Sequence, residues 1–152
     1  MLKVADVLNT KGDNIWSIAS KETAYKALEI MANKNIGALL VIDEGELVGI
    51  FSERDYARKV ILKGKSSRET TVGELMTSPV FSINPGKSIE ECMALMTAIH
   101  CRHIPVIEDD KLIGLVSIVD VVNAIITIQK IEIRDLKDYI AHGGHSSEWT
   151  AS

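Results

Sequence analysis

The sequence predicts an α/β (α+β) protein built from one unit used twice. Three observations carry this. Sliding the chain against itself by 65 positions superposes the halves without a gap from residue 16 to about residue 60. Within each half, short apolar runs of strand length alternate with stretches whose apolar residues recur at helical spacing. Each half also closes on the same pattern, Gly-x-x-Ser-x-x-Asp, as GIFSERD at 49–55 and GLVSIVD at 114–120.

The elements follow in order. VADVL (4–8) and VGELM (72–76) match at an offset of 68 and read as short opening helical turns. Strands are expected at 15–18 and 80–83. Helices are expected over 23–34 and 89–99, where apolar residues fall at 27, 28, 31 and at 92, 93, 95, 96, 99. Ser88 with Glu91 makes a capping box for the second of these. ALLVI to LVGIFS and HIPVI to LIGLVS are paired strands, joined by the short polar loops DEGE and EDDK. A further helix starts at each Ser-x-x-Asp. The order is β-α-β-β-α, twice, with a division at 1–66 and 67–141. A half of roughly 60 residues is marginal alone, so the two copies are expected to share a core.

The last helix is expected to run from about Ile118 to Tyr139. Its opening, IVDVVNAIITI, is apolar around most of its circumference, which predicts burial on most sides. That exceeds what one partner repeat needs, and a homodimer interface is expected there. The tail, 142–152, is Gly/Ser-rich and is expected to be disordered.

Composition narrows the function. With 152 residues and 46% hydrophobic content the chain can bury a real core. A net charge of −4 argues against a nucleic-acid binder driven by counterion release, though not against small anions, which local groups decide. No apolar stretch is long and uncharged enough to span a bilayer, and MLKVADVLNTKGD has no signal-peptide core. Cys92 and Cys101 show no metal or redox spacing, as expected of a reduced cytoplasmic protein. There is no Walker-type loop, no GxGxxG and no Gly-x-Ser-x-Gly elbow. His100 and His103 flank Cys101 without a second ligand pair, so no metal site is expected. No acid/base carboxylate pair stands apart, and no catalytic residue is assigned.

Ser-x-x-Asp before an apolar run is first of all a helix cap: the serine accepts a first-turn N–H and the aspartate reaches back. The same residues suit a nucleotide. A carboxylate in the first turn of a helix can accept two hydrogen bonds from a vicinal diol, as in dinucleotide folds. Asp55 and Asp120 fit that role. Ser52 and Ser117 stand where a strand meets a helix N-terminus, which favours phosphate. Gly49 and Gly114 allow a close approach to the strand or simply belong to a tight one.

Tandem β-α-β-β-α units with this motif closing the third strand, and RHIPVI leading the second, resemble paired cystathionine-β-synthase (CBS) domains, or Bateman modules. The similarity covers about residues 4–141, and SERDYARKVILKGKSSRETTVGELMTSPV resembles the stand-alone bacterial and plant-organelle members. The resemblance implies two repeats packed through their sheets with pseudo-twofold symmetry. It implies an adenosine-containing ligand (AMP, ADP, ATP, S-adenosylmethionine or NAD(H)) held between repeats, with no catalytic cofactor. It also implies a homodimer whose packing regulates an unidentified partner protein.

By that resemblance the adenine slot of copy 1 is Ile15 and Trp16 with Ile36, Gly37 and Ala38. In copy 2 it is Thr77, Pro79 and Val80 with His103, Ile104 and Pro105. Arg102 matches a phosphate-binding position, where copy 1 has Gly37. Arg54 and Arg58 lie one helical turn apart beside Asp55, placed for phosphate or for pairing with Asp55 and Glu53. Copy 2, with Arg102, His103, Pro105 and Asp120 expected together, looks the better equipped. The alternative is a ligand-independent interaction scaffold in which both motifs are only caps.

Overall fold

The structure, a computed structural model, describes residues 1–12 and 14–142. Each repeat builds a small sheet that shares a core with helices. In the first repeat, α1 (Val4–Lys11) leads to β1 (Ser17–Ile18), α2 (Ala24–Lys34), β2 (Ala38–Asp43), β3 (Glu46–Ser52) and α3 (Glu53–Tyr56). The second contributes α4 (Val72–Leu75), α5 (Ile89–Ile99), β4 (His103–Glu108), β5 (Lys111–Ser117) and α6 (Ile118–His142).

Local sequence explains most of these boundaries. Thr23 and Ser88 cap α2 and α5 by accepting from Lys26 N–H and Glu91 N–H at 3.1 Å each. Both helices stop where Asn35 and His100 adopt left-handed backbone. The hairpins β2–β3 and β4–β5 turn on residues with positive φ, Glu44-Gly45 and Asp109-Asp110. Two consecutive left-handed residues give a turn twist that matches the strands, and aspartate tolerates that region where the second loop lacks glycine. Both hairpins carry a register shift at the same place, after Val41 and after Val106.

Three expectations need correction. The strand expected at 80–83 is reduced to one parallel bridge, Ile83 to Val106. Pro79 has no N–H to offer, and Asn84-Pro85-Gly86 turns the chain away directly after the bridge. The helix that starts after Ser52, as expected, is α-helical for one turn and continues as a π-helical stretch, Ala57–Ile61. The last helix runs to His142, so the tail expectation falls otherwise on residues 143–152, outside those described. That helix is also less buried than its apolar opening suggests: Val121 is its buried residue, while Val119 is 61% exposed.

The two repeats exchange their opening helices. Val4, Val7 and Leu8 of α1 sit in a core with Ile89, Cys92 and Met96 of α5 and with Ile104, Val106, Val116 and Val121. Val72 and Leu75 of α4 sit in the other core, with Ala24, Ala27 and Met31 of α2 and with Leu39, Val41, Phe51 and Val60. Backbone bonds repeat the exchange. Val4 N–H donates to Lys87 C=O at 2.9 Å and Ile89 N–H to Leu2 C=O at 3.1 Å. Reciprocally, Val72 N–H donates to Glu22 C=O at 2.8 Å and Ala24 N–H to Thr70 C=O at 2.9 Å. The relation is the expected pseudo-twofold one.

The motif glycines serve this exchange. A Cβ at Gly49 would stand 2.5 Å from Met76 Sδ, and one at Gly114 would stand 2.7 Å from Leu8 Cδ2. Met76 and Leu8 are equivalent at the offset of 68. The close approach is therefore by the other repeat's opening segment.

Candidate functional site

The exchange carries Thr77 to β3: Thr77 N–H donates to Ile50 C=O at 2.8 Å and Ile50 N–H to Thr77 C=O at 3.1 Å. A cleft of about 520 Å³ opens beside this junction. One wall is the first repeat's motif, Ser52 to Asp55, with Arg58 and Lys59 a turn later. The other comes from the second repeat: Thr77, Pro79, Val80 and Phe81, with Ile99 to His103. Gly37 and Ile50 line it as well.

Both Ser-x-x-Asp motifs are helix caps. Ser52 N–H donates to Asp55 Oδ2 at 3.0 Å, and Asp55 N–H donates to Ser52 Oγ at 3.1 Å. Ser117 N–H donates to Asp120 Oδ2 at 2.8 Å, and Asp120 N–H donates to Ser117 Oγ at 3.1 Å. The first N–H after each serine is used too. Glu53 N–H donates to Gly37 C=O at 3.1 Å and Ile118 N–H to Arg102 C=O at 2.8 Å. Any phosphate at the cleft would therefore rely on side-chain cations more than on the helix N-terminus.

Asp55 has a filled set of partners. Ser52 Oγ donates to Oδ2 at 3.1 Å. Thr77 Oγ1 donates to Oδ1 at 3.2 Å, and Lys59 Nζ lies 3.3 Å from that oxygen. Lys59 also donates to Leu75 C=O at 2.9 Å. A carboxylate offers about four lone-pair directions. A diol arriving here would take over the positions held by Thr77 and Lys59 and release that ammonium.

The cleft's charge is opposite to the chain's. Arg54, Arg58, Lys59 and Arg102 line it against Glu53 and Asp55. Opposite it, Phe81 (56% exposed), Val80 and Ile99 offer apolar surface to a flat base. The His103 ring faces Gly37, whose Cβ would lie 3.7 Å from Nε2. Burial, then the charge of Lys11, hold His103 below the usual imidazole range; Asp120 opposes this and Arg102 adds to it. Burial, then the neighbouring Cys101, push the Cys92 thiol up to about 11. Among the described residues no group of three potential ligands could hold a metal.

Of the sequence-predicted residues, the cleft gathers Ser52, Asp55, Arg54, Arg58, Gly37, Thr77, Pro79, Val80, Arg102 and His103. Ile104 and Pro105 are buried in β4 and Ala38 in β2, without lining it. Ile15, Trp16, Ser117 and Asp120 stand outside it. Trp16 is covered by Lys34, whose Nζ lies 4.3 Å from the ring centroid. Arg102 and His103 line the cleft with Asp55, and the Asp120 charge also reaches His103. Asp120 lines a separate groove of about 340 Å³ between α1 and α6, bound to Lys11 Nζ at 2.6 Å. Lys59 and Phe81 were missed. Lys59 had a signal in its i,i+4 spacing from Asp55, whereas Phe81 had none, because a strand reading hides it.

The CBS-domain family model matches residues 4–61 and 72–127. The chain is 41% identical over 149 residues to the mitochondrial CBS domain-containing protein CBSX3 of Arabidopsis thaliana, covering 92% of this chain and 72% of that one. It resembles the solved structure of a CBS-domain protein from Burkholderia ambifaria MC40-6, with 46% identity, a TM-score of 0.80 and coverage of 82% and 94%. It also resembles the hexameric CBS-CP12 protein of bloom-forming cyanobacteria, at 25% identity, TM-score 0.75 and coverage of 97% and 92%.

Proposed function

Because the chain belongs to the CBS-domain family and carries two such domains in tandem, we propose that it is a regulatory module, not an enzyme, that binds an adenosine-containing nucleotide. The observation that carries this is the convergence, in one cleft, of a diol acceptor, four cationic side chains and an apolar wall. Asp55 takes the ribose hydroxyls in place of Thr77 and Lys59. Arg54, Arg58, Lys59 and Arg102 face the phosphates. Phe81 and Val80 cover the base. AMP, ADP and ATP fit this reading directly, and NAD(H) or S-adenosylmethionine would present the same adenosine half. Ligand binding bridges the two repeats, so it changes how they meet, and a homodimer through α6 passes that change to a partner protein. Cys92 and Cys101, both free, suit a reducing compartment such as the cytoplasm.

The test is thermal unfolding of the pure chain with AMP, ADP, ATP, NAD, NADH and S-adenosylmethionine in turn. A ligand at a hundred times its Kd stabilises by about 2.7 kcal/mol, a shift of several degrees. A shift lost in Asp55→Ala supports the sensor. No shift with any of them, in material free of co-purified nucleotide, leaves the scaffold reading, which the exposed apolar face of α6 favours.

A further inference from the structure

The outer face of α6 carries a second apolar seam. Ile118, Val121, Ala124 and Ile125 pack inward on the core of the second repeat. One residue on, Val119, Val122, Ile126, Gln129, Ile133, Leu136 and Ile140 alternate strictly by three and four. The apolar six are between 41% and 61% exposed. This is a heptad repeat sustained for three heptads, with β-branched Val119, Ile126, Ile133 and Ile140 at every a position and Val122, Gln129 and Leu136 at d. A seam of period 3.5 is a helix–helix seam, and β-branched a with leucine at d, the combination the last full heptad has in Ile133 and Leu136, favours two parallel strands. A single polar residue such as Gln129 in the seam fixes register at some cost in stability.

The helix also continues past its own support. Every residue from 129 to 142 is exposed. Fourteen residues of helix in water are marginal by themselves. Something must cover them, and charge selects what. Lys130, Arg134 and Lys137 balance Glu132, Asp135 and Asp138, so the segment has no cationic face for a lipid surface. In heptad terms Glu132 is a g residue and Lys137 the e residue five positions on, which is the g–e′ ion pair of a parallel two-stranded coil. An antiparallel pair would set e against e′, where Lys130 and Lys137 stand.

We propose that α6, from Val119 to Ile140, pairs with the same helix of a second copy as a parallel two-stranded coiled coil. This rests on the homodimer named above and specifies its surface, orientation and register. The coil begins inside the matched second domain, which ends at 127, and runs beyond it; none of its residues lines the cleft at Asp55.

The test uses the full chain in sedimentation velocity at micromolar concentration. The native chain is expected to be a dimer, and Leu136→Asp, at a side chain already 49% exposed, to weaken it by at least about tenfold without unfolding the chain. Glu132→Lys alone is expected to weaken the dimer, and Glu132→Lys with Lys137→Glu to restore it. Ile140→Cys is expected to form an intermolecular 140–140 disulfide under mild oxidation, which the native chain does not. A dimer that survives both Leu136→Asp and Ile133→Asp overturns the coil and leaves the dimer standing. A Leu136-dependent dimer without the 140–140 disulfide overturns the parallel orientation. A monomeric native chain overturns coil and dimer alike. AMP-dependent thermal stabilisation of Leu136→Asp reads the cleft separately from all of these.

Discussion

The two Ser-x-x-Asp motifs are alike in their caps and opposite in what surrounds them. Asp55 opens on a cleft with four cations, and Asp120 is held by one lysine from α1. The difference is written at equivalent positions. Arg54, Arg58 and Lys59 of the first copy become Val119, Asn123 and Ala124 in the second. Arg102 of the second copy is Gly37 in the first. Because each lead-in segment crosses to the other repeat, the first copy's helix cations and the second copy's Arg102 face the same space. The lesson is that equipment tallied copy by copy misleads in a swapped repeat; the cleft is lined by parts of both copies.

The strongest way to break the comparison is through the glycines that permit the crossing. Gly49→Ala meets Met76 Sδ and, at 3.1 Å, the Thr77 carbonyl, which is backbone and cannot step aside. It is expected to lower stability by about 1–3 kcal/mol, as overpacking does. Gly114→Ala meets the tip of Leu8, a side chain that can turn, and should cost less. Urea unfolding of both variants orders them; equal losses would mean that the two crossings are equally tight.

Next comes the ligand. Asp55→Ala is expected to weaken nucleotide binding tenfold or more, about 1.4 kcal/mol, while Asp120→Ala changes it less than about twofold. Titration calorimetry should count one nucleotide per chain. Two per chain, or the reverse order of the two variants, would undo the asymmetry.

A smaller effect tests the lysine that holds the second motif. Lys11→Met removes the 2.6 Å pair with Asp120, in which both side chains keep some exposure. A stability loss within about 1 kcal/mol is expected, without change in nucleotide affinity at Asp55. A larger gain in affinity would place a competing site at Asp120.

The smallest effect is a pH slope. His103 has its folded pKa held down by burial, then by Lys11. The unfolded chain therefore takes up the proton first. This contribution is whole above the unfolded value of about 6.5 and is lost as pH falls through the lower folded value. Urea midpoints measured from pH 7.5 to 5 should fall, and His103→Gln should flatten that fall. An unchanged slope in the variant would show that His103 is not the group responsible.

What the sequence determined by itself is everything set within a few residues or by a fixed period. Ile89–Ile99 has the expected bounds because Ser88 caps it and its apolar spacing is helical. The hairpins are legible because alternation and turn residues are local. Both caps are legible because Ser and Asp stand three apart. Only the tertiary structure decided which repeat each opening helix joins. VADVL and VGELM look alike, and either core would accept either one by hydrophobicity alone. Backbone pairing of Lys3 with Ser88 and of Thr23 with Thr71 settles the exchange. Those contacts span more than forty residues, where no periodicity reaches. That choice, more than any single residue, puts Asp55 beside Arg102 and leaves Asp120 with Lys11.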